Sequence, residues 1–463
     1  MKKNLSLAIL SLLVMSVLLM GCMPSASETP MPTTEQPSPE SDQTATPEEE
    51  GRFTIQSIEE FIEPISLLYQ AFYGEETPVF VEIGGDLLVT NLEKIDGDHP
   101  SVPATFIPGA VLEQNNKNED VVAFIDFAVS LEGQKELIAA GELPSAITLT
   151  DQAGTDVTIP QPVERVISAY GPTTAILYSV GEKDRLVSAS YLGAKDPLGS
   201  AAMAEIDSRF PEIMGDEKFS QQEFNVEEAA ILEPDLILTS ARSAWLDIAN
   251  ELEVPIFLYE AETFDRLKEA VLLTGNLFGP RATAAAQTWD TYFESIINRI
   301  KKKTVDIPSD ELPKILFTGT SPLRVASGDM FQTEIIEAAG GISVSRALTG
   351  YWNDVNLEQV AIWDPDIIIV PPYGGAKVES ITESPEWQIL EAVQAGRVYQ
   401  MPKLVAPWDT PAPDSVLGIV WMAQLLHPDL VDLDCSDEAT YFYNTFYQYA
   451  IPTELTTEIC SYD

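Results

Sequence analysis

Two glutamates occupy matched places in a pattern that this chain carries twice. The first copy runs Asn225-Val-Glu227-Glu-Ala-Ala-Ile-Leu-Glu-Pro234-Asp235-Leu-Ile-Leu, and the second runs Asn356-Leu-Glu358-Gln-Val-Ala-Ile-Trp-Asp-Pro365-Asp366-Ile-Ile-Ile. Asn, Glu, Pro and Asp recur at one offset, because 356 − 225, 358 − 227, 365 − 234 and 366 − 235 all equal 131. Two carboxylates that converge in a cleft could serve acid–base hydrolysis, and spacing alone leaves that open. The plainer alternative is that Glu227 and Glu358 complete capping boxes. A cap, however, does not require the whole pattern twice. Other chemistry finds little support. The two histidines, His99 and His427, each precede a proline. That scarcity disfavours a transition-metal site and a Ser-His-Asp triad. No phosphate-binding glycine loop, H-E-x-x-H or G-x-S-x-G motif occurs, so neither a cofactor nor an enzyme activity is expected.

The elements that position the glutamates follow from the same pattern. Each copy reads as a helical turn opened by an Asn cap, a Pro-Asp break and an apolar strand. A period of 131 residues is too long for a solenoid, whose repeats run roughly 20–50 residues. It implies two similar α/β lobes with parallel-rich sheets. Residues 147–159 alternate around Gly154 as a hairpin would, and strands then alternate with helices through Leu186–Ser190, the first copy and Ile256–Tyr259. From Pro280 to Lys303, Trp289, Tyr292, Phe293, Ile296, Ile297 and Ile300 share one helical face. The expected order is therefore a lobe over 147–279, one long helix over 280–303 and a lobe over 304–430. A rigid bridging helix predicts small closure on binding rather than a wide hinge. Residues 431–463 read as a loosely held tail.

The N-terminal portion reads as three parts. Residues 1–22 combine Lys2 and Lys3 with an apolar run ending at Leu19-Met20-Gly21-Cys22, which is short for a membrane span. Residues 23–51 are rich in Pro, Ser, Thr and Glu and read as a disordered tether, with a reach of roughly 30 Å. Residues 52–146 form a small α/β block: a helix over Ile58–Tyr73, a strand over Pro78–Thr90 turning at Gly84-Gly85, and a helix over Val121–Ala140 ending at Gly141. The net charge of −47 excludes a nucleic-acid partner and disfavours docking on anionic lipid through a basic patch. Of three cysteines, Cys435 and Cys460 remain if Cys22 is spent at the leader, and an even remainder outside the cytoplasm suggests one disulfide.

Three resemblances sharpen these readings. Leu19-Met20-Gly21-Cys22 resembles the lipobox of bacterial and archaeal lipoproteins, which implies an acylated Cys22 and an extracytoplasmic protein anchored to the membrane. Phe124-Ile-Asp-Phe127 with Ser130-Leu-Glu-Gly133-Gln134 resembles the C-terminal lobe of type II solute-binding proteins, although 52–146 is too short for a complete binder of that type. Residues 147–430 resemble the class III solute-binding proteins of ABC transporters, which serve cobalamin, haem and iron–siderophore complexes. The carriers are Arg165-Val166-Ile167, Gly181 before Asp184-Arg185-Leu186-Val187, both repeat copies, and Ala339-Gly340-Gly341.

The third resemblance implies that Glu227 and Glu358 dock onto arginines of a permease dimer, which works with its ATPase. It implies that Tyr191, Trp352 and Trp408 line the ligand cleft; Gln221 departs from the aromatic pattern on the first lobe. Arg324 is a candidate for an anionic ligand group, with Arg242 and Tyr373 as weaker ones. The expected cargo is an iron complex, haem or corrinoid. A molybdate- or tungstate-type oxyanion is the alternative, and a surface enzyme or adhesion protein is the alternative of another class.

Overall fold

The computed structural model describes residues 52–115, 117–190, 197–215 and 218–462. The expected leader, tether and Cys22 lie outside these residues, as does Tyr191.

The first block contains β1 (Thr54–Ser57), α1 (Ile62–Tyr73), β2 (Val79–Phe80), β3 (Leu87–Asn91), β4 (Ala104–Ile107), β5 (Ala110–Gln114), α2 (Glu119–Ala128) and α3 (Leu131–Ala140). Its sheet runs β2-β1-β3-β5-β4 over a core of its own that includes Phe53, Ile65, Leu68, Val89, Phe124 and Leu137. Two expectations need correction. Pro78–Thr90 is not one turned strand. β2 and β3 flank β1 on opposite sides, both parallel to it. Gly85 marks a close approach: a Cβ there would lie 2.5 Å from the Gln56 backbone nitrogen. The single helix over 121–140 is two helices. Ser130 ends one by donating to the Phe127 carbonyl (2.7 Å) and caps the next by accepting from the Gly133 N–H (3.3 Å).

A hairpin of β6 (Ala146–Thr150) and β7 (Asp156–Pro160) leads into the first lobe. That lobe holds β8 (Val166–Ser168), α4 (Gly171–Ser179), β9 (Leu186–Ala189), α5 (Pro197–Ile206), α6 (Phe210–Ile213), α7 (Val226–Leu232), β10 (Leu236–Ser240), α8 (Leu246–Ala249), β11 (Ile256–Tyr259) and α9 (Phe264–Phe278). The bridging helix α10 spans Pro280–Thr304. The second lobe holds β12 (Lys314–Phe317), β13 (Arg324–Val325), α11 (Phe331–Ala338), β14 (Ile342–Ser343), β15 (Asn353–Asp354), α12 (Leu357–Trp363), β16 (Ile367–Val370), α13 (Val378–Thr382), α14 (Glu391–Gln394) and β17 (Val398–Gln400). Then follow α15 (Ser415–Leu426), α16 (Cys435–Phe446) and α17 (Thr453–Ile459). The main sheets run β11-β10-β8-β9 and β14-β12-β16-β17, and every pairing in both is parallel. Numbered within its own lobe, each sheet reads 2-1-3-4.

The repeated pattern builds the third strand of each sheet the same way. Asn225 accepts from the Glu228 N–H at 3.1 Å, and Asn356 accepts from the Gln359 N–H at 2.8 Å. Both helices end in a left-handed residue, Glu233 (φ 46°) and Asp364 (φ 48°). Asp235 then accepts from the Glu164 and Arg165 N–H groups at 2.8 and 3.0 Å, and Asp366 accepts from the Lys314 N–H at 2.8 Å. Each aspartate thus ties the start of strand three to the start of strand one. The caps use residues 228 and 359, so Glu227 and Glu358 are not needed to close them.

One continuous core runs through both lobes, the bridging helix and the C-terminal helices. The tail is therefore not loose. Phe442, Tyr443, Phe446 and Tyr447 of and just after α16 are buried, and Cys435 is joined to Cys460 by a disulfide. Tyr443 and Tyr447 donate to the buried Asp414 carboxylate at 3.2 and 2.6 Å, and Tyr447 stacks on Tyr178 of the first lobe (6.3 Å between centroids). Glu438 reaches across to the first block and the bridging helix. It meets His99 Nε2 at 2.8 Å, the Tyr292 hydroxyl at 3.0 Å and Arg299 at 2.9 Å.

Asp414 should make stability depend on pH. Burial pushes its carboxyl up to about 6 from an ordinary 3.8, against the opposing tyrosine hydrogen bonds. Between those two values the folded state holds a proton that the unfolded chain has lost. Stability from this group is therefore complete below about 3.8 and falls as pH rises to about 6. Asp414→Asn should make the slope shallower by this group's share, improving relative to wild type by on the order of 2 kcal/mol between pH 4 and pH 7 in urea unfolding, while buried Asp409 keeps its own share. An unchanged slope would refute the assignment.

Candidate functional site

In open parallel sheets, ligands meet the carboxyl ends of strands where the strand order reverses. Here that is the edge between strands one and three of each lobe: β8 and β10 in the first, β12 and β16 in the second. The residues just beyond those ends are Tyr170, Arg242, Gly319 and Tyr373.

Four side chains from separate segments meet across the lobes. The Arg242 guanidinium pairs with Glu262, which follows β11, and lies 5.0 Å from the ring centroid of Tyr351 in the second lobe. Tyr170 sits beside them. Burial pushes its phenol well above the ordinary value, Glu262 adds to that, and Arg242 opposes it. Tyr351 remains 53% exposed, so its ring offers a free face. Its neighbour Trp352 lies on Gly319, where a Cβ would come within 2.7 Å of the indole. Only glycine at the end of β12 lets the ring rest there. Arg324 belongs to the same corner: its backbone pairs with Asp354, and its guanidinium stands 3.8 Å from the Asp354 carboxylate.

Tyr373 donates to Asp409 at 2.5 Å. Asp409 is buried, its carboxyl is raised to about 6 by burial, and its Oδ1 has no hydrogen-bond partner among the described residues. Gln332 donates to the Asp409 carbonyl at 3.0 Å, and its own Oε1 is likewise unpaired among those residues. Trp408 needs correction as a cleft residue. It is fully buried in the main core and donates to the Tyr443 hydroxyl at 3.3 Å. A loop position did not mean exposure, because α16 covers it.

The lobes are also tied beside the bridging helix. The Phe264 N–H donates to Glu334 of α11 at 2.5 Å, and the Phe264 ring packs edge-on against Phe331 and Phe293, each at 5.2 Å. A separate recess of about 440 Å³ lies where the first block meets Gly279 and Pro280. Among the described residues no charged side chain lines it.

Glu227 and Glu358 are both exposed, and neither has a side-chain partner among the described residues. Sequence reasoning missed Tyr170, Tyr351 and Glu262. The first had a signal, since it stands between the strand Val166–Ser168 and the helix-opening Gly171-Pro172.

Comparison with known proteins agrees with the fold. A sequence profile of the family described as periplasmic binding protein matches residues 166–404. The uncharacterized ABC transporter substrate-binding lipoprotein YvrC of Bacillus subtilis is 25% identical over 293 residues, which is 61% of this chain and 86% of that protein. The vitamin B12-binding protein of Yersinia pestis is 30% identical over 225 residues, covering 46% of this chain and 72% of its own. The molybdate-bound periplasmic binding protein MolA of Haemophilus influenzae superposes with a TM-score of 0.58 at 20% identity, covering 66% of this chain and 99% of that one.

Proposed function

The chain belongs to the periplasmic binding protein family, and from that premise we propose that it captures a bulky metal complex between its lobes and delivers it to an ABC permease driven by its ATPase. The cargo class is an iron complex, haem or a corrinoid. Acylation at Cys22 would hold the protein to the cell membrane, on its outer face or periplasmic side. The relatives are named as binding proteins, which supports capture over the enzyme or adhesion alternative.

One observation carries the cargo class. The arginines at this corner, Arg242 and Arg324, already face carboxylates, Glu262 and Asp354. Beside them Tyr351 is the exposed ring, 53% exposed, with Tyr170 and Trp352 partly buried next to it. A small oxyanion wants several unspent donors. A large, partly apolar complex wants rigid aromatic faces with polar tips.

Thermal-shift measurements with ferric hydroxamate, haemin, cyanocobalamin and molybdate test this. A bound ligand at about 100 times its Kd adds about 2.7 kcal/mol of stability. The expected result is stabilisation by one of the first three and none by molybdate. Stabilisation by molybdate alone would move the reading to an oxyanion.

A further inference from the structure

The two repeat copies share more than their glutamates. Ile231 and Ile362 are separated by the same offset, 362 − 231 = 131, and are 75% and 76% exposed. Each stands four residues after its glutamate on the same short helix, so Glu227 and Ile231 share one face of α7 and Glu358 and Ile362 share one face of α12, about 5–6 Å apart at Cβ. The opposite face is turned inward through Ala229 and Val360. Beside them Ala230 and Ala361 also match, whereas Val226 aligns with Leu357, Glu228 with Gln359 and Leu232 with Trp363.

A single exposed isoleucine needs no explanation. Two at the same place in both copies do, because the fold gains nothing from either. Neither belongs to a core cluster, and a β-branched residue on a solvent face slightly weakens a helix. Both helices are held in one local frame by the Asn cap, the left-handed end and the aspartate tie described above. The knobs are thus presented alike on the two lobes.

We infer that each lobe offers a paired handle, a carboxylate and an apolar knob one turn apart, and that the partner presents two equivalent recesses, each with a guanidinium beside an apolar floor. This rests on the docking reading of Glu227 and Glu358 and adds the chemistry of the receiving surface. The occupant is a basic protein surface with twofold repetition. A second copy of this chain does not fit, since each knob would bring a carboxylate toward a carboxylate on molecules of net charge −47. Anionic lipid fails for the same reason.

The test compares Ile231→Ser with Ile362→Ser, singly and together, against Glu227→Ala with Glu358→Ala. Full-length protein is titrated onto the permease–ATPase complex in nanodiscs, with thermal unfolding as the fold control. The double serine variant should bind the complex at least about tenfold more weakly with unchanged unfolding, and leucine at both sites should restore binding. Wild-type affinity of the serine variant alongside a weakened glutamate variant would overturn this inference and leave the docking reading standing. Wild-type affinity of both would overturn both. Self-association of the free protein that serine abolishes would reassign the knobs to a homodimer and overturn the inference as well.

Discussion

The double variant Glu227→Ala with Glu358→Ala should deliver on the order of 100-fold less cargo through an ABC permease, yet bind ligand with wild-type affinity. The two carboxylates are exposed and unpaired among the described residues, and none of the contacts that join Arg242, Glu262 and Tyr351 involves them. Each exposed ion pair contributes only about 0–1 kcal/mol by itself. A bidentate guanidinium at each site fixes orientation as well as attraction. Once one site engages, the second binds within the same complex, and the gain can reach two orders of magnitude. That gain requires a fixed separation. The 25-residue helix α10 and the continuous core between the lobes supply it. Single variants should therefore lose about fivefold in uptake, and the pair on the order of 100-fold. Uptake by cells expressing the variants reads this directly. Normal uptake by the double variant would reject the docking role.

Truncating Glu438 should produce the largest loss of stability. Its side chain is 3% exposed and accepts from Tyr292 and Arg299, with His99 of the first block at 2.8 Å. Glu438→Ala leaves Arg299 and the buried Tyr292 hydroxyl without their acceptor. Breaking a buried pair by removing one partner costs about 3–5 kcal/mol. Glu438→Gln keeps the volume and an acceptor, and should cost about half as much or less. His99→Ala should cost under about 1 kcal/mol, because that ring is 44% exposed. The loop carrying His99 also places Pro100 against Tyr441, whose hydroxyl donates to the Pro100 carbonyl. The alanine variant should then loosen the first block from the bridging helix, seen as faster proteolysis around residues 94–103. Urea unfolding measures the stability change. A loss below 1 kcal/mol would show that Glu438 is not the fastener.

Much of the architecture was legible in the residues alone. The duplicated Asn-x-Glu and Pro-Asp pattern located one helix and one strand in each lobe, because caps, breaks and apolar runs act over a few residues. The bridging helix was read to within one residue of its observed end, since its buried face repeats every three to four positions. Counting cysteines suggested the Cys435–Cys460 bond. The errors fall where local pattern and long-range packing part. Gly84-Gly85 looked like a turn, but Gly85 is where one strand crosses close to another. Trp408 looked like a cleft residue, but α16 buries it. The tail looked loose, although its aromatic residues close the main core.

What only the tertiary structure decided is which distant groups share a space. Tyr170, Arg242, Glu262 and Tyr351 come from four separate segments, and His99 reaches Glu438 across 339 residues. Periodicity reports which face of an element turns inward. It does not report which other element waits there, because that is set by strand order and by the path of the chain between lobes. The matched handles belong to the first kind of information, and the aromatic seam that would hold cargo belongs to the second.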